Sequence, residues 1–316
     1  MADLIHKKRQ LTSFQIIILG FAGVILVGAL ILMLPISTKS GVVTPFNEAL
    51  FTSTSAVCVT GLVVQDTATY WSAFGQSVIL VLIQIGGLGV ITVAASFALL
   101  SGRKISLMQR STMQEAISAP KVGGIVRLTF FVLKVTFLIE LLGALVMMPT
   151  FIHDFGAKGI WMSFFHSISA FCNAGFDVMG TEGAKFASIT SYLGNSVINV
   201  TIMLLIVIGG IGFLTWEDVC TNKLHFKRYR MQSKVILVTS ALLILLPAVF
   251  FFFVDFADMP MKERVLGSLF QSITPRTAGF NTANLTTMTG AGQAIIIMLM
   301  LIGGSPGSIL VKKIIH

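Results

Sequence analysis

HSISAFCNAGF, residues 166–176, decides how this chain folds, because two other stretches repeat its plan. The related stretches are TSTSAVCVTGL at 52–62 and QSITPRTAGF at 271–280, and each continues a short, partly apolar segment. A second signature, Ile-Gly-Gly, follows each of the three stretches, at residues 85–87, 208–210 and 302–304. Two independent motifs that recur in the same order at a matched period indicate internal repetition.

Long apolar runs flank each repeated stretch. Residues 14–34 hold 21 residues without a charge, which is about 31 Å of helix and enough to cross a bilayer core. The other long runs lie at 77–100, 128–148, 195–215, 235–254 and from about 291. Between the two runs of each unit lies a helix too short to span, at 45–55, 160–170 and 262–274. The sequence therefore predicts an all-α polytopic membrane protein built from helix–half-helix–helix units.

These runs set the predicted organisation of the chain. We expect a first repeat at 14–100, a second at 126–215 and a third at 235–308, the last with a broken second helix. The segments between and beyond them are an N-terminus (1–13), a loop (101–125), a basic loop (216–234) and a tail (309–316).

The composition is that of a protein in lipid. Hydrophobic residues make up 55% of the 316 residues, only 11% are charged, and the mean hydropathy is +0.90. No water-soluble fold hides that much apolar surface, so disordered, collagen-like, disulfide-framed secreted and typical cytosolic proteins are excluded. Three cysteines are also too few, and odd in number, for a disulfide framework.

Basic residues gather in alternate gaps between the apolar runs. Stretches 1–10, 101–127, 216–234 and 309–316 hold 15 of the 22 basic residues and four acidic ones, a net charge of +11. The intervening gaps hold six basic and eight acidic residues. Because basic loops remain in the cytoplasm, this asymmetry predicts a cytoplasmic amino terminus.

The repeated loops carry the chemistry. Unwound backbone at membrane depth must be buried in protein or line an aqueous path, because lipid cannot hydrogen-bond it. Gly61, Gly175 and Gly279 allow backbone conformations closed to other residues. Carbonyl oxygens presented by such loops can replace a cation's hydration shell, and the carboxyl ends of the short helices add the negative ends of helix dipoles. We therefore expect the three loops to meet on one axis.

With these loops and with GGSPGS at 303–308, the sequence resembles the Trk/Ktr/HKT superfamily of potassium transporters, and is most similar to the membrane subunit of bacterial Ktr systems. The resemblance implies four helix–pore helix–helix units around one pore; three are visible here, so we expect a fourth and interpret the chain as a fragment. It implies a potassium filter of backbone carbonyls from three stretches: Val57, Cys58, Val59, Thr60 and Gly61; Phe171, Cys172, Asn173, Ala174 and Gly175; and Pro275, Arg276, Thr277, Ala278 and Gly279. It also implies a flexible gate formed by Gly303, Gly304, Ser305, Pro306, Gly307 and Ser308.

The same resemblance implies potassium uptake across the bacterial cytoplasmic membrane through a channel-like pore, with potassium as substrate and no covalent cofactor. It further implies a homodimer and a cytosolic KtrA-type regulatory ring through which ATP or ADP acts, with sodium-dependent symport as one mode of transport. Lipid is the expected surrounding, and no nucleic acid partner is expected.

Two other classes of function remain as alternatives. A secondary carrier with alternating access also uses broken helices, but usually in inverted repeats, whereas the three units here run in the same direction. A membrane enzyme or scaffold would need a polar cluster at depth, and Lys134 with Glu140 is too little. The sequence has no phosphate-binding loop, no HExxH and no GxSxG, so we do not expect an enzyme.

Polar residues in or near the filter stretches have simple interpretations. Cys58 and Cys172 are interpreted as small side chains that pack behind the filter, in preference to a redox or metal site. Arg276 is predicted to point away from the ions and to bind carboxylates or carbonyls behind its loop.

Other polar residues are weighed in the same way. Lys134 is expected to reach the cytoplasmic interface, the role of Glu140 stays open, and His166 is expected to be buried and hydrogen-bonded. The double glycines of the first two units are taken to allow close helix packing. The basic loop at 222–234 could bind anionic lipid or a cytosolic regulator.

Overall fold

A computed structural model describes residues 12–100, 107–117, 124–223 and 225–303, with the backbone alone for 96–100. Within these ranges the chain is helical and has no β-strand. The helices are α1 Ser13–Leu32, α2 Phe46–Val57, α3 Ala73–Leu88, α4 Val90–Leu100, α5 Leu107–Ile117, α6 Ile125–Phe155, α7 Lys158–Phe171, α8 Ser196–Gly210, α9 Phe213–Asn222, α10 Met231–Phe253, α11 Met261–Ile273 and α12 Gly290–Ile302. The all-α fold class is therefore confirmed.

The helices follow a plan of outer helix, short helix and inner helix. The three sets are α1–α2–α3, α6–α7–α8 and α10–α11–α12, and in each the short helix packs against the outer and the inner helix. Among the described residues, α1, α6 and α10 are long and apolar enough to span a membrane. The inner helices α3 and α12 are shorter apolar helices, and α8 with α9 qualifies only as one span bent by 99°.

Each inner helix ends at or close to a glycine with positive φ. The breaks fall at Gly89 (φ +84°), Gly212 (φ +85°) and Gly303 (φ +70°). Glycine takes this conformation without a Cβ clash, so the helix can stop and turn within one residue. The sequence predicted a break in the third unit alone. The structure differs because α3 also ends at Gly89 and α8 ends two residues before Gly212, which begins α9; both glycines lie three residues after the first glycine of their double-glycine pair.

Small residues let the outer and short helices approach closely. A Cβ built on Gly28 would lie 2.5 Å from Ser53 Oγ, and one on Gly143 would lie 2.6 Å from Ser167 Oγ. Each serine hydroxyl donates to a carbonyl of the outer helix, Ser53 to Ile25 O at 2.7 Å and Ser167 to Glu140 O at 2.6 Å. Close helix approach with cross-helix hydroxyl bonds is how helices associate in lipid, where the hydrophobic effect gives little.

The three units contact one another in chain order. The inner helix α3 packs on the short helix α7, and α8 packs on α11. Phe165 and Phe270, at equivalent places in α7 and α11, are fully buried, whereas their equivalent Phe51 on α2 is 42% exposed. The first short helix therefore has an open face where the other two are covered.

Candidate functional site

Each short helix ends in a loop held by the same backbone hydrogen bond. The residue before the loop glycine donates its N–H to the backbone carbonyl of a serine or threonine near the helix end. These bonds run from Thr60 to Ser55 O at 2.9 Å, from Ala174 to Ser169 O at 2.8 Å and from Ala278 to Thr274 O at 3.0 Å. In the second and third loops the side-chain hydroxyl of the same residue, Ser169 or Thr274, donates to the carbonyl of the residue after the glycine, Phe176 or Phe280. The three loops therefore share one backbone hydrogen bond at equivalent residues, and the second and third loops share the hydroxyl bond as well.

The loops share an unusual backbone geometry. Two residues before each glycine, a non-glycine residue has positive φ: Val59 at 55°, Asn173 at 57° and Thr277 at 76°. The glycines follow at 75°, 70° and 81°. Left-handed backbone is rare outside glycine and costly for a β-branched residue such as Val59 or Thr277, so its recurrence at equivalent positions is typical of a functional site.

The three loops lie directly against one another. A Cβ on Gly61 would stand 2.6 Å from Ala174 O, and one on Gly175 would stand 2.7 Å from Ala278 O. Neither position can hold a side chain unless the neighbouring loop moves. The loops that the sequence singled out are thus together in space, while their role as an ion filter stays a prediction.

The inner helices hold the loops from behind. The end of α2 presses on α3, since a Cβ on Gly86 would lie 2.1 Å from Val57 O. The equivalent contact in the second unit joins Gly209 of α8 and Phe171 O, at 1.9 Å. The third unit departs from this pattern. Gly303 ends α12, and a Cβ built on it would lie 3.9 Å from Thr277 Cγ2, at ordinary van der Waals distance. The other predicted gate residues, Gly304, Ser305, Pro306, Gly307 and Ser308, lie outside the described residues.

The two filter cysteines are free thiols in different surroundings. Cys58 is exposed, and Cys172 is half-buried where a Cβ on Gly87 would come within 2.6 Å of its sulfur. No group of three or more His, Cys, Asp or Glu side chains that could hold a metal occurs in the described part of the chain. Cys172 therefore packs against the inner helix α3.

Arg276 is buried behind the third loop, at 8% exposed. Its Nη2 donates to Ser240 Oγ on α10 at 3.1 Å, and its Nε has no partner among the described residues. The sequence predicted carboxylates or carbonyls as its partners; the observed partner is a hydroxyl. The guanidinium nevertheless lies behind the loop, as predicted, because it is buried and contacts the outer helix α10.

The three other polar residues that the sequence singled out differ in their exposure to solvent. Lys134 is exposed on α6, whereas Glu140 is 3% exposed and its Oε2 accepts from Gln84 Nε2 at 3.3 Å. His166 is fully buried on α7; its Nδ1 donates to Met162 O at 2.7 Å and its Nε2 accepts from the Val178 N–H at 3.4 Å. The expectation of a buried, hydrogen-bonded histidine is confirmed.

An acidic pair follows the loops, and sequence reasoning missed it. Asp66 ties the first unit to the second, since its Oδ2 accepts from the Phe186 N–H at 2.7 Å. Asp177 comes two residues after Gly175, and burial raises its pKa to about 6; the Met179 N–H bond opposes the shift and the charge of Asp66 adds to it. The available signal was an aspartate directly after the repeated motif.

Comparison with known proteins gives consistent results. A family model described as "TrkH: Cation transport protein" matches residues 6–312. The chain is 38% identical over 313 residues to the potassium/sodium uptake protein NtpJ of Enterococcus hirae, covering 96% of this chain and 68% of that protein. It is 36% identical over 313 residues to the Ktr system potassium uptake protein B of Bacillus subtilis, covering 97% and 68%. Both relatives are ion uptake proteins and not enzymes.

A solved structure shares the fold. The potassium transporter TrkH from Vibrio parahaemolyticus superposes with a TM-score of 0.68 at 16% identity. The match covers 96% of this chain but 59% of that one, so the chain spans well under two thirds of the TrkH chain.

Proposed function

This chain belongs to the TrkH family of cation transport proteins, and from that premise we propose that it carries potassium into the cell through a channel-like path. The observation that carries the proposal is the meeting of the Gly61, Gly175 and Gly279 loops, each held in the same left-handed conformation. The names of the relatives, a potassium/sodium uptake protein and a Ktr potassium uptake protein, support potassium as the substrate.

In this proposal, selectivity arises from main-chain oxygens. The stretches Val57–Gly61, Phe171–Gly175 and Pro275–Gly279 present carbonyls that replace the water around a dehydrated monovalent cation. The short helices end at these stretches, so the negative ends of their dipoles favour a cation there. Support comes from the shared hydrogen bond that holds each loop to its helix and from the lack of room beside the glycines.

The broken inner helices provide the proposed gate. Gly303, with φ +70°, ends α12 just where the Gly303–Ser308 stretch begins. We expect Gly303→Ala to change how often the path opens and to spare the preference for potassium over sodium. A changed preference with normal opening would contradict this assignment.

A fourth unit completes the ring in this proposal. The exposed Phe51 supports it, because the equivalent Phe165 and Phe270 are buried and each lies on a short helix against which the inner helix of the preceding unit packs. An inner helix placed on α2 would cover Phe51 in the same way.

The membrane orientation and the partners are also proposals. Basic loops place the amino terminus in the cytoplasm. On that proposed side, α9 is bound to the start of α10: Asp218 Oδ2 accepts from the Arg230 N–H at 3.0 Å and from Ser233 Oγ at 2.6 Å. Such a surface suits a KtrA-type ring that binds ATP or ADP, and the homodimer and sodium-dependent symport rest on the resemblance alone.

A flux assay tests the proposal. The full-length protein, with the fourth unit that this proposal includes, is reconstituted in vesicles, and uptake of a potassium tracer is followed with and without internal unlabelled ion. A pore gives uptake driven by voltage alone, with weak saturation. A cation-coupled carrier, the alternative, gives tight coupling and exchange, and would overturn the channel-like path. No potassium flux under any driving force would overturn the function.

A further inference from the structure

Two polar side chains meet inside the membrane where the first unit joins the second. Gln84 lies on α3, just before the Gly86–Gly87 pair, and Glu140 lies in the middle of α6. Gln84 Nε2 donates to Glu140 Oε2 at 3.3 Å. Glu140 is 3% exposed, and its Oε1 has no hydrogen-bond partner in the described part of the chain.

This pair is connected to the second loop at two points. Gln84 Oε1 lies 4.0 Å from Cys172 Sγ, and the same sulfur packs on α3 at Gly87. The backbone carbonyl of Glu140 accepts from Ser167 Oγ of α7 at 2.6 Å. Side chain and main chain of Glu140 thus act on the loop and on the helix that leads into it.

The fold does not require polar residues at these positions. The repeat places Ile25 of α1 where α6 has Glu140, since Ile25 O accepts the equivalent serine hydroxyl, from Ser53. It places Val207 of α8 where α3 has Gln84, one residue before the Ile-Gly-Gly signature. The first unit therefore has an apolar residue where the second has Glu140, and the second has an apolar residue where the first has Gln84. Both units fold on the same plan.

A carboxyl group in the membrane interior is costly and by default marks a functional site. The carboxyl here accepts a hydrogen bond from the amide nitrogen of Gln84, and this bond fixes the side-chain amide with its oxygen toward Cys172. Without the carboxyl, the amide can rotate and the second loop loses a defined neighbour. Lys134, the other charged residue of the apolar run 128–148, is exposed.

We propose that Gln84 and Glu140 are positioning residues that hold the second loop at Cys172 in register with the other two loops, and that they thereby set the discrimination between potassium and sodium. This inference rests on the proposed function. It assigns the buried carboxyl a structural task behind the loop, with no contact to the ion.

The test compares matched variants of the full chain in vesicles, read out as the ratio of potassium to sodium flux. Glu140→Met and Gln84→Met keep side-chain volume and remove the hydrogen bond. Glu140→Gln keeps a group that can accept from Gln84. Ile25→Met is the control, because it puts the same side chain at the equivalent place of the first unit.

We expect Glu140→Met and Gln84→Met each to lower the flux ratio by about threefold to tenfold, the range of one lost hydrogen bond. The double variant should be no worse than either single one, because both remove the same bond. Glu140→Gln and Ile25→Met should stay within about twofold of the wild-type ratio. Size-exclusion profiles establish folding, and if Glu140→Met does not fold, the half-buried Gln84 gives the deciding variant.

Two results would overturn the inference in a protein that transports potassium. One is an unchanged flux ratio in Gln84→Met. The other is a ratio in Glu140→Gln as low as in Glu140→Met, since the carboxyl would then act by its charge and not by its hydrogen bond. A wild-type chain without potassium flux would instead overturn the proposed function, and this inference with it.

Discussion

Gly175 and Gly279 lie so close that a Cβ added to Gly175 would stand 3.0 Å from Gly279 Cα and 2.7 Å from the Ala278 carbonyl oxygen. Backbone therefore contacts backbone between the second and third loops, with no side chain between them. Gly61 and Ala174 O make the equivalent contact between the first and second loops. Such contacts mean that each loop sets the position of the next.

Gly175→Ala should disrupt this arrangement. The new methyl group meets a neighbouring carbonyl, and its residue has φ +70°, a conformation that costs about 1–3 kcal/mol outside glycine. We expect lower preference for potassium over sodium in vesicle flux. Gly183→Ala is the matched control, because nothing lies within 4 Å of its Cβ. Wild-type preference in Gly175→Ala would show that the loop contact does not determine selectivity.

Neighbouring glycines of α8 should respond differently to the same substitution. A Cβ on Gly209 would lie 1.9 Å from Phe171 O, whereas one on Gly210 would meet Asn173 Nδ2 at 3.4 Å. Gly209→Ala should therefore destabilise the fold by about 1–3 kcal/mol or more through overpacking, and Gly210→Ala by much less. Thermal unfolding in detergent measures both. Equal midpoints for the two variants would contradict the packing of α8 on the second loop.

Arg276 should contribute to the stability of the third loop through Ser240. Ser240→Ala removes the hydroxyl that accepts from Nη2 and leaves a buried guanidinium poorer by one partner, which costs about 1–3 kcal/mol. Arg276→Ala should lower both the unfolding midpoint and potassium uptake. Thr239→Ala, one residue along α10, is the control for Ser240→Ala. Unchanged uptake and stability in Arg276→Ala would contradict a structural role.

Much of the fold was predictable because the sequence consists of repeated units. The short helices were expected at 45–55, 160–170 and 262–274 and occur at Phe46–Val57, Lys158–Phe171 and Met261–Ile273. Their lengths follow from composition, since each is too short and too polar to span. The proximity of the loops was also predictable, because unwound backbone in lipid must find protein partners.

Features that depend on tertiary contacts were not predictable. The breaks at Gly89 and Gly212 lie within apolar runs that read as continuous helices, and glycine alone does not reveal whether a helix ends there. The sequence also gave no sign that Gln84 would meet Glu140, 56 residues away, because that contact depends on how two units pack.

Asp177 should make transport depend on acidity on the side of the membrane that its loop faces. Its pKa lies near 6, above the ordinary value of 3.8, because burial, assisted by Asp66, disfavours the charged form. Above pH 6 the carboxylate is charged and attracts cations two residues beyond Gly175; below pH 6 it is neutral. We expect the cation concentration for half-maximal flux to rise by roughly twofold to fivefold as pH falls from 7 to 5. Asp177→Asn should show the low-pH value throughout.

The same raised pKa has a consequence of opposite sign for stability. The folded state holds this proton more tightly than the unfolded chain, so the stability that it contributes is present in acid and is lost as pH rises through about 6. The unfolding midpoint of the wild type, taken relative to Asp177→Asn, should therefore rise between pH 7 and pH 5. A relative midpoint that stays unchanged over this interval would mean that the carboxyl keeps the ordinary pKa of a group in water, and the pH dependence of flux would then need another titrating group.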